Sequence, residues 1–77
     1  MDIYPKVIEL THSMGVTEEI KKTSSLMDLG FDSIMIMELI VNLEEKFDIN
    51  ILDEDIHELN FQTVESVHNM ILPYLKR

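Results

Sequence analysis

The stretch from Ser33 to Phe47 constrains the fold more than any other part of the chain. On a wheel of roughly 100° per residue, Ile36, Leu39, Ile40, Leu43 and Phe47 fall on one arc, the stripe that an α-helix buries against its neighbours. Ile34, Met37 and Val41 fall on an adjoining arc, interleaved with Glu38, Glu44 and Glu45, while Met35, Asn42 and Lys46 face away. The apolar surface is wider than one core stripe needs. Asp32 is a suitable N-cap, able to accept from the backbone N–H of Ile34 or Met35, and Gly30 relaxes the chain just before it. No segment alternates at period two for long enough to make a strand, so the partners of this helix must be other helices.

Those partners are legible at lower contrast. Ile3, Val7, Leu10 and Met14 stand at helical spacing and predict a first helix over about Ile3 to His12. Asp2 is its cap, Pro5 falls in the tolerated first turn and Gly15 is its stop. A polar loop from Val16 to Phe31 carries Ile20, Leu26 and Leu29, the apolar anchors that a loop of this length needs to be ordered. Asp53, Glu54 and Asp55 open a short third helix through about Leu59, where acids favour the helix dipole. Thr63 caps a last helix with Val64, Val67, Met70, Ile71 and Leu75 on one side, and Pro73 is expected to bend or end it. The expected fold is all-α: a small antiparallel four-helix bundle, with three longer helices, a short third one and a long loop between the first two. The chain has 77 residues, so residues 1–77 make one domain near the lower limit for a single apolar core.

Charge is segregated along the chain. From Asp28 to Glu58 ten acids (Asp28, Asp32, Glu38, Glu44, Glu45, Asp48, Asp53, Glu54, Asp55 and Glu58) face Lys46 as the only base. In the flanks Asp2, Glu9, Glu18, Glu19 and Glu65 balance Lys6, Lys21, Lys22, Lys76 and Arg77, so the net charge of −9 belongs to the middle. Acidic residues confer solubility wherever they stand, but this segregation points to a docking surface. Such a field repels nucleic acid and anionic lipid and attracts proteins with basic patches. An acidic rim of Glu38, Glu44 and Glu45 around an apolar centre of Ile34, Met37 and Val41 suits a transient interface, in which charge speeds encounter and a small apolar contact keeps release fast. The plainer alternative makes those three residues ordinary bundle core.

Several functions are excluded or disfavoured. With no cysteine, a disulfide framework, a thiolate nucleophile and a cysteine zinc site are out. Met1 to Lys6 does not read as a signal peptide and no apolar run reaches the length of a membrane span, so the cytoplasm is the expected location, with no membrane insertion. Met1 and the closing Lys76-Arg77 suggest a free-standing chain, and a monomer is expected. A domain this small has little room for a deep active site with its supporting shell. Calcium binding through Asp48, Asn50, Asp53 and Asp55 fails, because Asp53 stands where the loop needs glycine and Leu52 where it needs oxygen. A hydrolase built on Ser33 would need a base beside it, and His12, His57 and His68 are scattered over three elements. Met27, Met35, Met37 and Met70 are read as gap fillers before being read as a groove.

Ser33 opens the second helix, at the mouth of the loop and facing water. A phosphate there would meet unpaired backbone N–H groups and the positive end of the helix dipole. On position alone the plainer reading stands, since serine is favoured near helix starts.

The sequence around it adds more. Asp28-Leu29-Gly30-Phe31-Asp32-Ser33-Ile34, then Met37-Glu38-Leu39, then Leu43-Glu44-Glu45-Lys46-Phe47 together resemble the signature of acyl carrier proteins. The resemblance covers nearly the whole chain and is tightest from Leu26 to Ile56. It implies that Ser33 receives 4′-phosphopantetheine from coenzyme A through a phosphopantetheinyl transferase. It also implies that Asp32 helps place a metal ion in that complex, and that the protein itself has no catalytic residue and no resident metal. The implied partners are that transferase, an acyltransferase or acyl ligase, a ketosynthase and other synthase enzymes. They would dock through basic patches on Ile34, Met37, Glu38, Val41, Glu44 and Glu45. Leu29-Gly30-Phe31-Asp32-Ser33 resembles carrier domains of polyketide synthases, whereas Leu43 to Ile49 is similar to free-standing fatty-acid carriers. Met35 and Ile36 depart from the acidic and polar residues usual in the fatty-acid type. A discrete carrier of polyketide or hybrid type fits best, with fatty-acid and peptidyl or aminoacyl carriers as alternative subtypes. The alternative of another class is a helical docking module that is never modified.

Overall fold

The computed structural model describes residues 3–76, which form three α-helices: α1 (Tyr4–Ser13), α2 (Ser33–Phe47) and α3 (Val64–Leu75). Among the described residues there is no strand; one isolated antiparallel bridge joins Ser25 to Thr63. The all-helical expectation holds.

Each helix starts where local chemistry permits it. Pro5 lies in the first turn of α1, and the expected Asp2 cap falls outside the described residues. Ile3 takes the capping position with no side-chain bond and is instead fixed by burial at 1% exposure. At the other end Gly15 turns the chain with φ +100, a conformation that costs glycine little. Asp32 caps α2, its Oδ1 accepting from Met35 N at 2.9 Å. α2 ends on Asp48, in the left-handed region at φ 53, which aspartate tolerates better than most residues. Thr63 and Ser66 form a reciprocal capping box at the start of α3, with bonds of 3.1 and 3.0 Å between side chain and backbone.

One expectation fails at the C-terminal end, and of the two outcomes expected of Pro73 one is ruled out. In place of a short third helix the chain makes two 3₁₀ turns, Asp53–Asp55 and Glu58–Phe61, with His57 extended between them. Three adjacent acids repel one another, and Asn60 Nδ2 donates to the Asp55 carbonyl at 2.7 Å, the acceptor that a continuing helix would have offered to Leu59. Breaking there lets Ile56 turn onto the core while His57 stays exposed. α3 also runs past Pro73 to Leu75. Proline in the last turn deprives only the Asn69 carbonyl of a partner, and Asn69 is exposed to water.

The core follows the wheel closely. Leu39, Ile40 and Leu43 of α2 pack with Ile3 and Val7 and with Val64, Val67, Met70 and Ile71 of α3. The wheel misplaced Met35 and Asn42. Both are half-buried, because the core arc is centred nearer Leu43 than Ser33, which leaves Met35 on its edge. Of the four methionines read as gap fillers, Met70 is buried, Met35 half-buried, and Met27 and Met37 are exposed.

The long loop is pinned rather than loose. Val16, Ile20, Leu26 and Phe31 are buried and Leu29 is half-buried. Leu26 N donates to Gln62 O, Val64 N to Ser24 O and Glu65 N to Lys22 O, at 2.9 to 3.1 Å, so the loop is stitched to the start of α3. The radius of gyration of 11.3 Å matches the roughly 11.5 Å of a fully packed chain of this length. His68 also joins the packing between helices. It is buried, and its ring stacks on Tyr4 of α1 with centroids 3.8 Å apart, while Lys22 Nζ lies 4.5 Å from the Tyr4 centroid on the loop side.

Candidate functional site

The loop delivers the chain to Ser33 through a defined turn. Phe31 N donates to Leu26 O and Gly30 N to Met27 O, both at 3.0 Å, around Gly30 at φ +95. That pair of bonds is a Schellman motif, and its left-handed position requires glycine. Leu26 and Phe31, at the two ends of the motif, both enter the core. This fixes where the next residues emerge. Asp32 then leaves the turn extended and caps α2, so Ser33 is its first residue and is exposed. Ile36 N bonds the Asp32 carbonyl at 2.9 Å as the first rung of the ladder. The N–H groups of Ser33 and Ile34 precede that rung and stand at the positive end of the helix. The hydroxyl is therefore reachable by another protein, and an anion attached to it meets backbone donors and a favourable dipole. A phosphodiester fits this position.

The residues expected to surround it divide into two groups. Ile34, Met37 and Val41 are 69%, 57% and 50% exposed, so they are not bundle core. Together with Glu38 and Asn42 they line a shallow cleft of about 350 Å³ on the outer face of α2. Glu38 and Glu45 are exposed beside it. Glu44 is half-buried instead, its Oε2 accepting from Ile51 N at 2.9 Å, which ties the end of α2 to the segment that follows. Asn42 belongs to the cleft although the wheel turned it away.

A second cleft of about 320 Å³ begins at Ser33 itself. Ile36 and Met37 form one wall, and Ile56, His57, Glu58 and Phe61 form the other. Apart from a run of mixed polarity, the sequence carries no signal for this second wall; only the tertiary fold brings residues 56–61 opposite Ser33. His57 is the one histidine near the serine. Its Nε2 lies 3.2 Å from Asn60 Nδ2, so the ring is engaged with Asn60, and no third group in the cleft completes a triad. Among the described residues, no three carboxylate or imidazole groups converge as metal ligands, and no helix is long and apolar enough to cross a membrane.

Comparison with known proteins agrees with this geometry. Residues 7–71 match the family described as phosphopantetheine attachment site. The acyl carrier protein of Bdellovibrio bacteriovorus is 41% identical over 70 residues, covering 87% of each chain. That of Campylobacter lari is 39% identical over 72 residues, 91% of this chain and 87% of the relative. Among solved structures, a glycylated carrier protein bound to the glycine:[carrier protein] ligase of Bradyrhizobium japonicum has a TM-score of 0.77. It is 26% identical, over 90% of this chain and 99% of that one. The exposed serine at a helix start, the shared sequence and the shared fold lead to one conclusion: the chain belongs to the acyl carrier protein family, whose members carry acyl groups on covalently attached 4′-phosphopantetheine.

Proposed function

We infer that Ser33 Oγ is the attachment point of the 4′-phosphopantetheine arm, and that the protein presents thioester-bound acyl groups to partner enzymes without catalysing a reaction itself. The observation that carries this is the position of Ser33: exposed, first in α2, and preceded by the Asp32 cap. The arm, when bound, supplies the thiol that this cysteine-free chain lacks. The chain's own residues do the rest. The first turn of α2 neutralises the phosphodiester with backbone N–H groups, and the tether holds cargo at high effective concentration near a docked enzyme. Two 3₁₀ turns standing in for the short third helix keep the bundle plan of a four-helix carrier.

Ile34, Met37 and Val41, with Glu38, Glu45 and the partly engaged Glu44, serve as the docking face. A small apolar centre inside an acidic rim supports a basic, transient partner, which suits a phosphopantetheinyl transferase, an acyl ligase or acyltransferase, and a ketosynthase, all in the cytoplasm. Incubation with coenzyme A and a phosphopantetheinyl transferase tests the core of this reading. The intact mass should rise by one phosphopantetheine, and Ser33→Ala should abolish the rise while remaining folded. An unchanged mass with an active transferase would refute it.

Two cargo readings each have support. The matching sequences, which are bacterial acyl carrier proteins, favour an acyl group, and the polyketide-like Leu29-Gly30-Phe31-Asp32-Ser33 favours a polyketide intermediate among these. The structural likeness to a glycylated carrier favours an aminoacyl group. Intact-mass spectrometry of the protein purified from its own cells separates them by the mass of the group on the arm.

A further inference from the structure

The wall of the cleft opposite Ser33 is built from a segment with little regular structure of its own. Residues 52–60 contain two short 3₁₀ turns, and Leu52, Glu58 and Leu59 are exposed. Helical packing alone does not hold such a segment in one place. Ile56 and Phe61 anchor it to the core, and a chain of hydrogen bonds from α3 holds its first turn. The Tyr74 hydroxyl donates to Asp55 Oδ2 and accepts from Leu52 N at 3.0 Å, so one phenol grips both ends of the first 3₁₀ turn across 22 residues of sequence. From Asp55 the chain continues inward: Asn60 Nδ2 donates to the Asp55 carbonyl at 2.7 Å and lies 3.2 Å from His57 Nε2. His57 and its neighbours Ile56 and Glu58 are the residues that face Ser33, Ile36 and Met37 across the cleft.

We propose that Tyr74 is a positioning residue for the carried group: its contacts with Asp55 and Leu52 latch the 52–60 segment and so set the width of the cleft beside Ser33. With the latch closed, residues 56–58 stand opposite Ser33 and Met37 and give a thioester resting there partial shelter from water and nucleophiles. With it open, the wall moves off α2 and the thioester is released to solvent or to a docked enzyme. Partial burial, reinforced by the hydrogen bond to the Asp55 carboxylate, raises the phenol above its ordinary pKa of 10.0, so it remains a donor throughout the neutral range. Neither Leu52 nor Asp55 is buried, so water replaces the phenol at modest cost when the latch opens, as a reversible contact requires.

The inference rests on Ser33 bearing the arm, and the experiment keeps the two apart. Wild type, Tyr74→Phe, Asp55→Ala and Asp55→Asn are loaded from butyryl-coenzyme A by a phosphopantetheinyl transferase, and loading is checked by mass. Hydrogen–deuterium exchange is then read on both unloaded and loaded forms, and cleavage of the thioester by hydroxylamine on the loaded form. Tyr74→Phe and Asp55→Ala should raise exchange in 52–60 about tenfold, leave α1 and α2 unchanged, and speed hydroxylamine cleavage several-fold. Asp55→Asn, which keeps an acceptor for the phenol, should restore most of both. Equal exchange in all four proteins would overturn the latch, as would a uniform rise through α1 and α2, which would make Tyr74 a general stability residue. If no variant acquires the arm, the assignment of Ser33 fails, and exchange in the unloaded form still decides the latch.

Discussion

Replacing Asp32 by alanine and by asparagine separates the two things that this side chain does. Its Oδ1 accepts from Met35 N at 2.9 Å, and its charge lies at the positive end of α2. Removing an N-cap of this kind costs about 1 kcal/mol, and losing a carboxylate at an exposed helix start costs about 0.3–1 kcal/mol more. Alanine loses both contributions, whereas asparagine keeps the acceptor and loses only the charge. The gap between the two variants therefore isolates the hydrogen bond at about 1 kcal/mol, which in a domain of this size is a Tm difference of about 4–8 °C. Thermal unfolding followed by circular dichroism, at low salt and neutral pH, measures it directly. The modified form adds a sharper comparison. A phosphodiester on Ser33 returns negative charge to the same helix end, so loading should narrow the gap between asparagine and wild type and leave that between alanine and asparagine intact. Equal losses for the two variants would refute the reasoning, since the helix start would then not depend on the Asp32–Met35 bond.

Other perturbations test other levels. Leu43→Ala empties a position with no exposure at the centre of α2 and should cost about 2–5 kcal/mol in urea unfolding, much of the stability of so small a domain. Met37→Ser and Val41→Ser, on the exposed cleft, should change stability by no more than about 0.5 kcal/mol yet slow acyl transfer to a partner enzyme. Glu44→Ala removes the acceptor of Ile51 N and should cost about 1.5–3 kcal/mol, with Glu44→Gln losing less. Because the folded state raises the Tyr74 pKa, its contribution is complete below the ordinary value of 10.0 and is lost as pH climbs through the raised one. The urea midpoint should accordingly fall more steeply above pH 10 in wild type than in Tyr74→Phe.

How much of this was legible beforehand differs from element to element. The start, the end and the core stripe of α2 were readable, though not the partial burial of Met35 and Asn42, because the features that make them, a cap and an unbroken 3.6-residue period, are local. The turn into Ser33 was readable through Gly30, and the exposed place of Ser33 at the start of α2 through the Asp32 cap. The third element misled, because its acids do suit a helix start; what overruled them was Asn60 capturing a backbone carbonyl and Ile56 turning inward. The sequence carried no sign of the burial of His68 either. A histidine on a helix looks solvated until the ring it stacks on, Tyr4 on another helix, is brought beside it.

Local order and charge alone determined that the chain would be helical, that its negative field would lie in the middle, and that a serine would open the second helix. Those properties depend on residues within a turn or two of one another. Only the tertiary structure decided that Ile34, Met37 and Val41 would stay outside the core, that Glu44 would be engaged by Ile51, and that residues 56–61 would face Ser33. The reason is geometric: a wall and its opposite face come from segments at least 19 residues apart, and no periodicity within either one records the distance between them.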